Sequence, residues 1–324
     1  MSVLNILFVG SDEVARSIAK KSDSRDVDNY VYKDLKEDGS FSTISILRPN
    51  NYPEKPKPFF TSLTVSDFGI IEVRKVDASF GEVIVSMSCA GIENGFVVVN
   101  PSEGEWVDEE QVKGLLNQAG LVNWEFIDHD GVVIREKLIS ILNQIKPHNE
   151  NGFVVAVDQA FTVKGVGLVA VGHVQSGKVN KHDDVVFAGS EGNAIARSLQ
   201  VMDLDVEIAN IGDRVGLALR TAGAFREDLI GKGSILADSN ERFEIQTKSN
   251  FKLNKAAFQK NDLVVGDVVH FCSDLQFIVG RISEINEDIA IEWDFPIVLN
   301  KNSKRNPLIV QLEATPRIMG FARF

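Results

Sequence analysis

The stretch Phe161-Thr-Val-Lys-Gly-Val-Gly-Leu-Val-Ala-Val-Gly-His-Val-Gln-Ser-Gly-Lys-Val179 decides the reading of this chain. Apolar and β-branched residues recur through it, interrupted by Gly165, Gly167, Gly172 and Gly177. Glycine inside a strand pattern marks a tight turn or a strand that another backbone crosses closely. The same style surrounds it. Short runs at Phe153–Val157, Gly167–Val174, Asp184–Phe187 and Arg214–Leu219 are separated by Gly, Asn and Asp, and Gly212-Asp213 reads as a hairpin turn. Short strands at this spacing predict a small β-barrel over residues 150–240. Val264–Phe271, Gln276–Ile285, Ile289–Trp293 and Leu308–Leu312 continue the pattern and predict a second barrel over 241–324.

Residues 1–148 read differently. Apolar runs at Leu4–Val9, Ser42–Leu47, Asp67–Val73 and Gly95–Asn100 alternate with helical spacing at Asp12–Lys21, Phe80–Ala90, Asp108–Ala119 and Val132–Ile145. Strands alternating with helices predict a parallel sheet covered on both faces. Four of the nine prolines fall between Pro49 and Pro58, which reads as a stiff loop. The fold class is therefore α/β plus all-β: one α/β domain followed by two barrels.

Of the 324 residues, 34 are Lys or Arg and 46 are Asp or Glu, a net charge of −12. Residues 1–150 carry most of it, with 15 basic and 24 acidic residues, or −9. Such a balance excludes a generic nucleic-acid coat and gives no reason to expect DNA as a partner, since phosphate contacts need clustered cations. It leaves a local RNA site open. Cys89 and Cys272 cannot form a disulfide framework, and a reducing compartment follows. No run of 18 apolar residues is present, and Val3–Val9 is too short for a signal peptide. A cytoplasmic protein with no membrane contact is expected.

The first strand ends in Gly10-Ser-Asp-Glu-Val-Ala15-Arg16-Ser17. A phosphate loop has the form G-x-x-x-x-G-K-[ST], in which glycines let N–H groups curl around phosphate, Lys neutralises it and the hydroxyl binds Mg²⁺. Gly10 and Ser17 keep the spacing. Ala15 replaces the second Gly and Arg16 the Lys, and Arg is a poor geometric substitute. Asp12 and Glu13 add like charge. The simpler alternative is a strand–turn–helix capped by Asp12.

The glycine-rich stretch resembles the second domain of translational GTPases, which share an F-x-x-x-G-x-G-x-V-x-x-G-x-V-x-x-G-x-V spacing. Ala196-Arg-Ser-Leu-Gln200, Ile211–Arg220 and Ile230–Leu236 look like the rest of that barrel. The Arg-Ser-Leu-Gln piece and Thr315-Pro-Arg-Ile-Met-Gly-Phe-Ala-Arg323 are most similar to the SelB branch of the EF-Tu family. The resemblance covers 150–240 strongly, 241–324 moderately and 1–148 in architecture only. It implies a GTP-binding first domain, yet the signature positions depart from it. Leu47-Arg-Pro-Asn50 stands where the Mg²⁺-linked D-x-x-G belongs, the family's catalytic His has no counterpart, and Asn100-Pro-Ser-Glu103 stands where the guanine-reading N-K-x-D belongs. No S-A-x motif occurs near Ile127-Asp128-His129. The vestigial nucleotide site would comprise Gly10, Arg16, Ser17, Asn100 and Glu103. Without the loop Lys and the metal carboxylate, little phosphoryl-transfer catalysis should survive. No catalytic residue, metal site or cofactor is expected, GTP and Mg²⁺ being disfavoured.

In the family a pocket against the first barrel holds the aminoacyl end of tRNA. The resemblance places its candidate lining near His173, Arg197, Asp213, Arg214 and Val215, with barrel closure as the plain alternative. Lys301-Asn-Ser-Lys-Arg305, Arg317 and Arg323 could form a basic face on the last domain, or a solvated loop. The five histidines are scattered, with no metal-ligand spacing. Glu109-Glu110 and Asp128-His129-Asp130 read as solvated turn or helix-start residues. Three functions compete. The first is an elongation-factor-like protein binding tRNA or another translation component without a GTP switch. The second is a working GTPase with divergent motifs, and the third is an acidic scaffold for a protein partner.

Overall fold

A computed structural model describes residues 2–36, 41–145, 152–190, 192–221, 230–303 and 305–324. The expected boundary near residues 148–150, and Lys304 of the basic cluster, lie outside the described residues.

The first sheet has seven strands in the order β2-β3-β4-β1-β5-β6-β7. β1 (Ser2–Val9), β4 (Phe41–Pro49), β5 (Phe68–Val73), β6 (Gly95–Val99) and β7 (Glu125–Ile127) are parallel. β2 (Lys20–Ser24) and β3 (Val27–Leu35) form an antiparallel hairpin on one edge. The central strands are apolar throughout because helices cover both faces. On one face α1 (Asp12–Ile18) and α5 (Gly131–Gln144) bury Ile18, Ile134 and Leu138 against Phe8 and Tyr30. On the other, α2 (Pro56–Leu63), α3 (Ala78–Ala90) and α4 (Glu109–Gln118) bury Phe59, Phe60, Ile84 and Val112 against Leu7 and Val97.

Three expectations need correction. The helix beginning at Asp12 stops at Ile18, because Ala19 turns extended and leads into β2. Its cap is Ser11, whose side chain accepts from the Val14 N–H, and Asp12 belongs to the first turn. The proline-rich stretch is not wholly loop. Pro49 closes β4, and Pro56 and Pro58 open α2, where a missing N–H breaks no helical hydrogen bond.

In the second sheet, β8 (Phe153–Val163), β9 (Gly167–Asn180), β14 (Arg214–Thr221), β11 (Asn193–Val201), β10 (Asp184–Phe187) and β15 (Ile235–Ala237) pair in a ring that the β10–β11 contact closes. Its interior holds Phe153, Val155, Leu168, Ala170 and Leu217. The third sheet is a closed barrel, β16-β19-β18-β17-β20-β21: β16 (Phe243–Lys255), β17 (Val268–Ser273), β18 (Gln276–Ile285), β19 (Ile289–Asn300), β20 (Leu308–Val310) and β21 (Ile318–Arg323).

The first unit and the last barrel share one hydrophobic core. Phe59, Phe60 and Leu63 of α2 cluster with Ala256, Cys272, Leu308, Val310 and Ile318. Each fully buried Phe contributes about 1.5–3 kcal/mol. Polar contacts fix the register of this junction. The Leu275 N–H donates to Thr64 Oγ1 at 2.9 Å and Asn306 Nδ2 to the Cys89 carbonyl at 3.0 Å. Buried Glu82 of α3 accepts from the Tyr52 hydroxyl and from the Arg317 N–H, both at 2.7 Å. Among the described residues, no helix is long and apolar enough to cross a membrane.

Candidate functional site

The loop after β1 lies at the carboxyl ends of the strands, where open α/β sheets bind ligands. Here one of the protein's own carboxylates meets it. The Ser11 N–H donates to Glu72 Oε2 at 2.5 Å, and Asn100 Nδ2 donates to Glu72 Oε1 at 2.7 Å. Glu72 is the penultimate residue of β5 and is buried. Gly10 makes room for it: a Cβ there would lie 2.6 Å from the Glu72 Cβ. Arg48, the residue after Leu47, donates to the Gly10 carbonyl at 2.8 Å and pairs with Asp28 at 3.2 Å.

The cations and hydroxyls of the expected nucleotide site turn elsewhere. Arg16 pairs with Asp12 one turn back along α1. Asp12 also accepts from Tyr30 at 2.5 Å and pairs with Lys21 at 3.2 Å. The Tyr30 hydroxyl and Arg16 hold the Asp12 carboxyl well below the usual carboxylate range. Ser17 Oγ donates to the Val14 carbonyl at 2.7 Å, and the residue is backed onto α5 so closely that a Cβ on Gly131 would lie 2.4 Å from it. Glu103 is exposed and joins none of these contacts. Glu72 thus brings Gly10–Ser11 and Asn100 together, whereas Arg16, Ser17 and Glu103 are not gathered with them. Its glutamate gave no sequence signal, because it belongs to none of the motifs.

A second site lies between the β2–β3 hairpin and the first barrel. A cleft of about 800 Å³ is lined by Lys20, Lys21 and Lys33 on one side and by Gln159, Phe161 and Arg214 on the other. Phe161 is 45% exposed, so an aromatic face stands beside three lysines. At one end, four charges alternate. Asp158 accepts from Arg25 and from Arg214, each at 2.9 Å, and Asp23 pairs with the same two arginines at 2.8 and 3.4 Å. The quartet is partly buried, with Arg25 exposed, and joins the hairpin to the barrel. Burial raises the Asp158 pKa, but Arg214 and Arg25 more than offset this and hold it at about 2. Asp213, lodged in the β13 (Ile208–Asn210) to β14 turn, is pushed the other way by burial, to about 6.

Of the four residues expected to touch RNA, His173 and Arg214 are neighbours across the β9–β14 ladder. Arg197 is exposed on β11 and lines neither cleft. Arg317 is committed to the junction of α3 and the last barrel, donating to the Pro53 carbonyl at 2.9 Å. Three other described cations of the last domain are each engaged within the protein. Arg305 binds Asp67 at 2.6 Å, Lys301 donates to the Glu241 carbonyl at 3.0 Å, and Arg323 lies over the Phe321 ring.

A seven-stranded sheet with a loop–helix after its first strand, followed by two barrels, defines the translational-GTPase class of fold. Structures of SelB from Methanococcus maripaludis, alone and with the GTP analogue GPPNHP, superpose with a TM-score of 0.78 at 18% identity, over 99–100% of this chain and 79% of theirs. Bacterial EF-Sec superposes equally well over 58% of its length. In sequence the chain is similar to members of the EF-Tu/SelB-like group. It is 29% identical over 210 residues to the selenocysteine-specific elongation factor of Escherichia coli, covering 60% of this chain and 32% of that factor. It is also 29% identical over 283 residues to an uncharacterized protein of Methanocaldococcus jannaschii, covering 87% and 86% of the two chains. No family model matches the chain.

Proposed function

We propose that the protein is an elongation-factor-like protein of the cytoplasm that binds tRNA or another translation component without a GTP switch. One observation carries the reading: the Glu72 carboxylate already accepts from the loop N–H of Ser11 and from Asn100. A triphosphate there would meet fixed negative charge. The only loop cation, Arg16, points back to Asp12, and Leu47 stands where a metal carboxylate is needed. Neither GTP nor Mg²⁺ then serves as a cofactor, and the protein is not a GTPase. The continuous core between α2 and the last barrel supports the same conclusion, since it fixes in one arrangement the segment that moves in switching relatives. The cleft between the hairpin and the first barrel offers lysines for phosphates and Phe161 for stacking, which suits an RNA end.

Calorimetric titration with GTP and with GDP, each with Mg²⁺, should give no saturable heat. Filter binding to bulk tRNA should saturate and weaken with salt, and Arg214→Ala should weaken it further. Tight nucleotide binding, or nucleotide-dependent compaction in small-angle scattering, would overturn the reading.

A further inference from the structure

On the far side of the charge quartet a separate cavity of about 330 Å³ lies where the first domain and both barrels meet. Arg25 comes from the hairpin, Thr61 from α2, Asp158, His173 and Lys232 from the first barrel, and Leu275 from the last. Asp23 and Arg214 line the larger cleft and Arg25 and Asp158 this one, so the quartet is the wall between them.

His173 is the anomaly. Its neighbours Ala170 and Val174 point into the barrel core, while His173 faces the cavity, 3% exposed. Its Nδ1 is fully buried and has no hydrogen-bond partner among the described residues. A buried polar group left without a partner costs about 1–3 kcal/mol. The Trp293 indole avoids that cost by donating to Ser249 at 2.8 Å, whereas the buried His270 Nδ1 shares it; only His173 of the two histidines lines this cavity. The ring is therefore placed to meet something that enters the cavity.

Charge decides what that is. The two arginines and two aspartates of the quartet cancel. Asp26 and Lys232 are both exposed and line the cavity, and Lys232 has no ion-pair partner among the described residues. Burial lowers the His173 pKa to about 4, and Arg214, Arg305 and Lys232 lower it too, with Asp158 alone opposing them. The ring is thus neutral at pH 7 in a field of positive sign, with one N–H to donate. Among the described residues no three His, Cys, Asp or Glu side chains converge as metal ligands, so a cation is not the occupant the cavity suits. Its volume matches a small metabolite.

We propose that this three-domain cavity binds a small oxyanion-bearing metabolite, with Lys232 and Arg25 facing its charge and His173 donating a hydrogen bond from its ring. The bound molecule would touch all three domains at once and so bias how firmly they dock. This does not rest on RNA binding in the neighbouring cleft, and the two can fail separately.

The test follows the histidine ring resonances of the full chain by NMR while inorganic phosphate, or succinate, is raised at constant ionic strength with chloride as the balance. Saturable movement of the His173 signal with at least one of the two anions is expected. Its titration midpoint should rise by one unit or more, because the bound charge favours the imidazolium. Lys232→Ala, at an exposed position, should fold normally and weaken the response at least tenfold, and His173→Phe should fold and show no anion-dependent rise in Tm. A His173 signal that ignores both anions would overturn the proposal. So would one that moves equally under chloride, or equally in the Lys232→Ala protein.

Discussion

Ser11 and Glu72, 61 residues apart, meet through a hydrogen bond of 2.5 Å between the loop N–H and the carboxylate. The same carboxylate reaches Asn100, so a single side chain connects the loop after β1 to the end of β6. Replacing it should expose how much of the loop depends on it. Glu72→Ala leaves two part-buried donors without their acceptor and should cost about 1 kcal/mol or more in urea unfolding. Glu72→Gln keeps an acceptor and should cost less. A Glu72→Ala protein as stable as the parent would show the contact to be incidental.

Acid should loosen the seam between the hairpin and the first barrel. Asp158 has a folded pKa of about 2, below its unfolded value. Its contribution is fully present above the unfolded pKa, near 4, and is lost as pH falls toward 2. The size is on the order of 2 kcal/mol. Asp158→Asn should therefore be less stable at pH 7 and show a flatter acid limb between pH 4 and 2. An unchanged acid limb would rule out this role.

Asp213 carries the opposite sign. Its folded pKa, about 6, lies above its unfolded value, so the native state loses stability as pH rises from about 4 to 6. Its carboxylate accepts from the Asn210 N–H at 2.7 Å, a bond that asparagine can also accept. Asp213→Asn should be at least as stable as the parent at pH 7 and should remove that part of the pH dependence. Greater destabilisation at pH 7 than at pH 4 would contradict this.

Both thiols should be inert in the native state. Burial pushes the Cys89 thiol up to about 12, and the fully buried Cys272 thiol also up, while Cys272 Sγ donates to the Phe60 carbonyl at 3.2 Å. Only thiolates react at appreciable rates. Ellman's reagent at pH 7.5 should label neither on the timescale of minutes, and both once urea unfolds the chain. Rapid native labelling of Cys272 would mean that the α2–barrel junction opens.

Tyr52→Phe tests that junction directly. It removes one of the two hydrogen bonds at 2.7 Å to buried Glu82 and should lower stability by about 1–2 kcal/mol. Scattering should give an unchanged radius of gyration, because Phe59 and Phe60 still hold the surfaces together.

The order of elements followed from local pattern. Leu4–Val9 and Gly95–Asn100 are apolar because both faces of a parallel strand are covered, and the spaced glycines from Gly165 to Gly177 announced the barrel. Those are properties of neighbours in sequence, and periodicity records them. The hairpin Lys20–Leu35 was missed because its polar strands lie at an edge and carry little apolar alternation. The fate of the old phosphate loop was legible only by halves. Its altered residues could be read off, but the carboxylate that meets Ser11 comes from another strand. The same holds for the Asp23–Arg25–Asp158–Arg214 quartet and for the solitary ring of His173. The Ser11–Glu72 contact joins the loop after β1 to β5 within one domain and the quartet joins residues up to 191 apart across a domain seam, and only tertiary packing sets which charges face one another there.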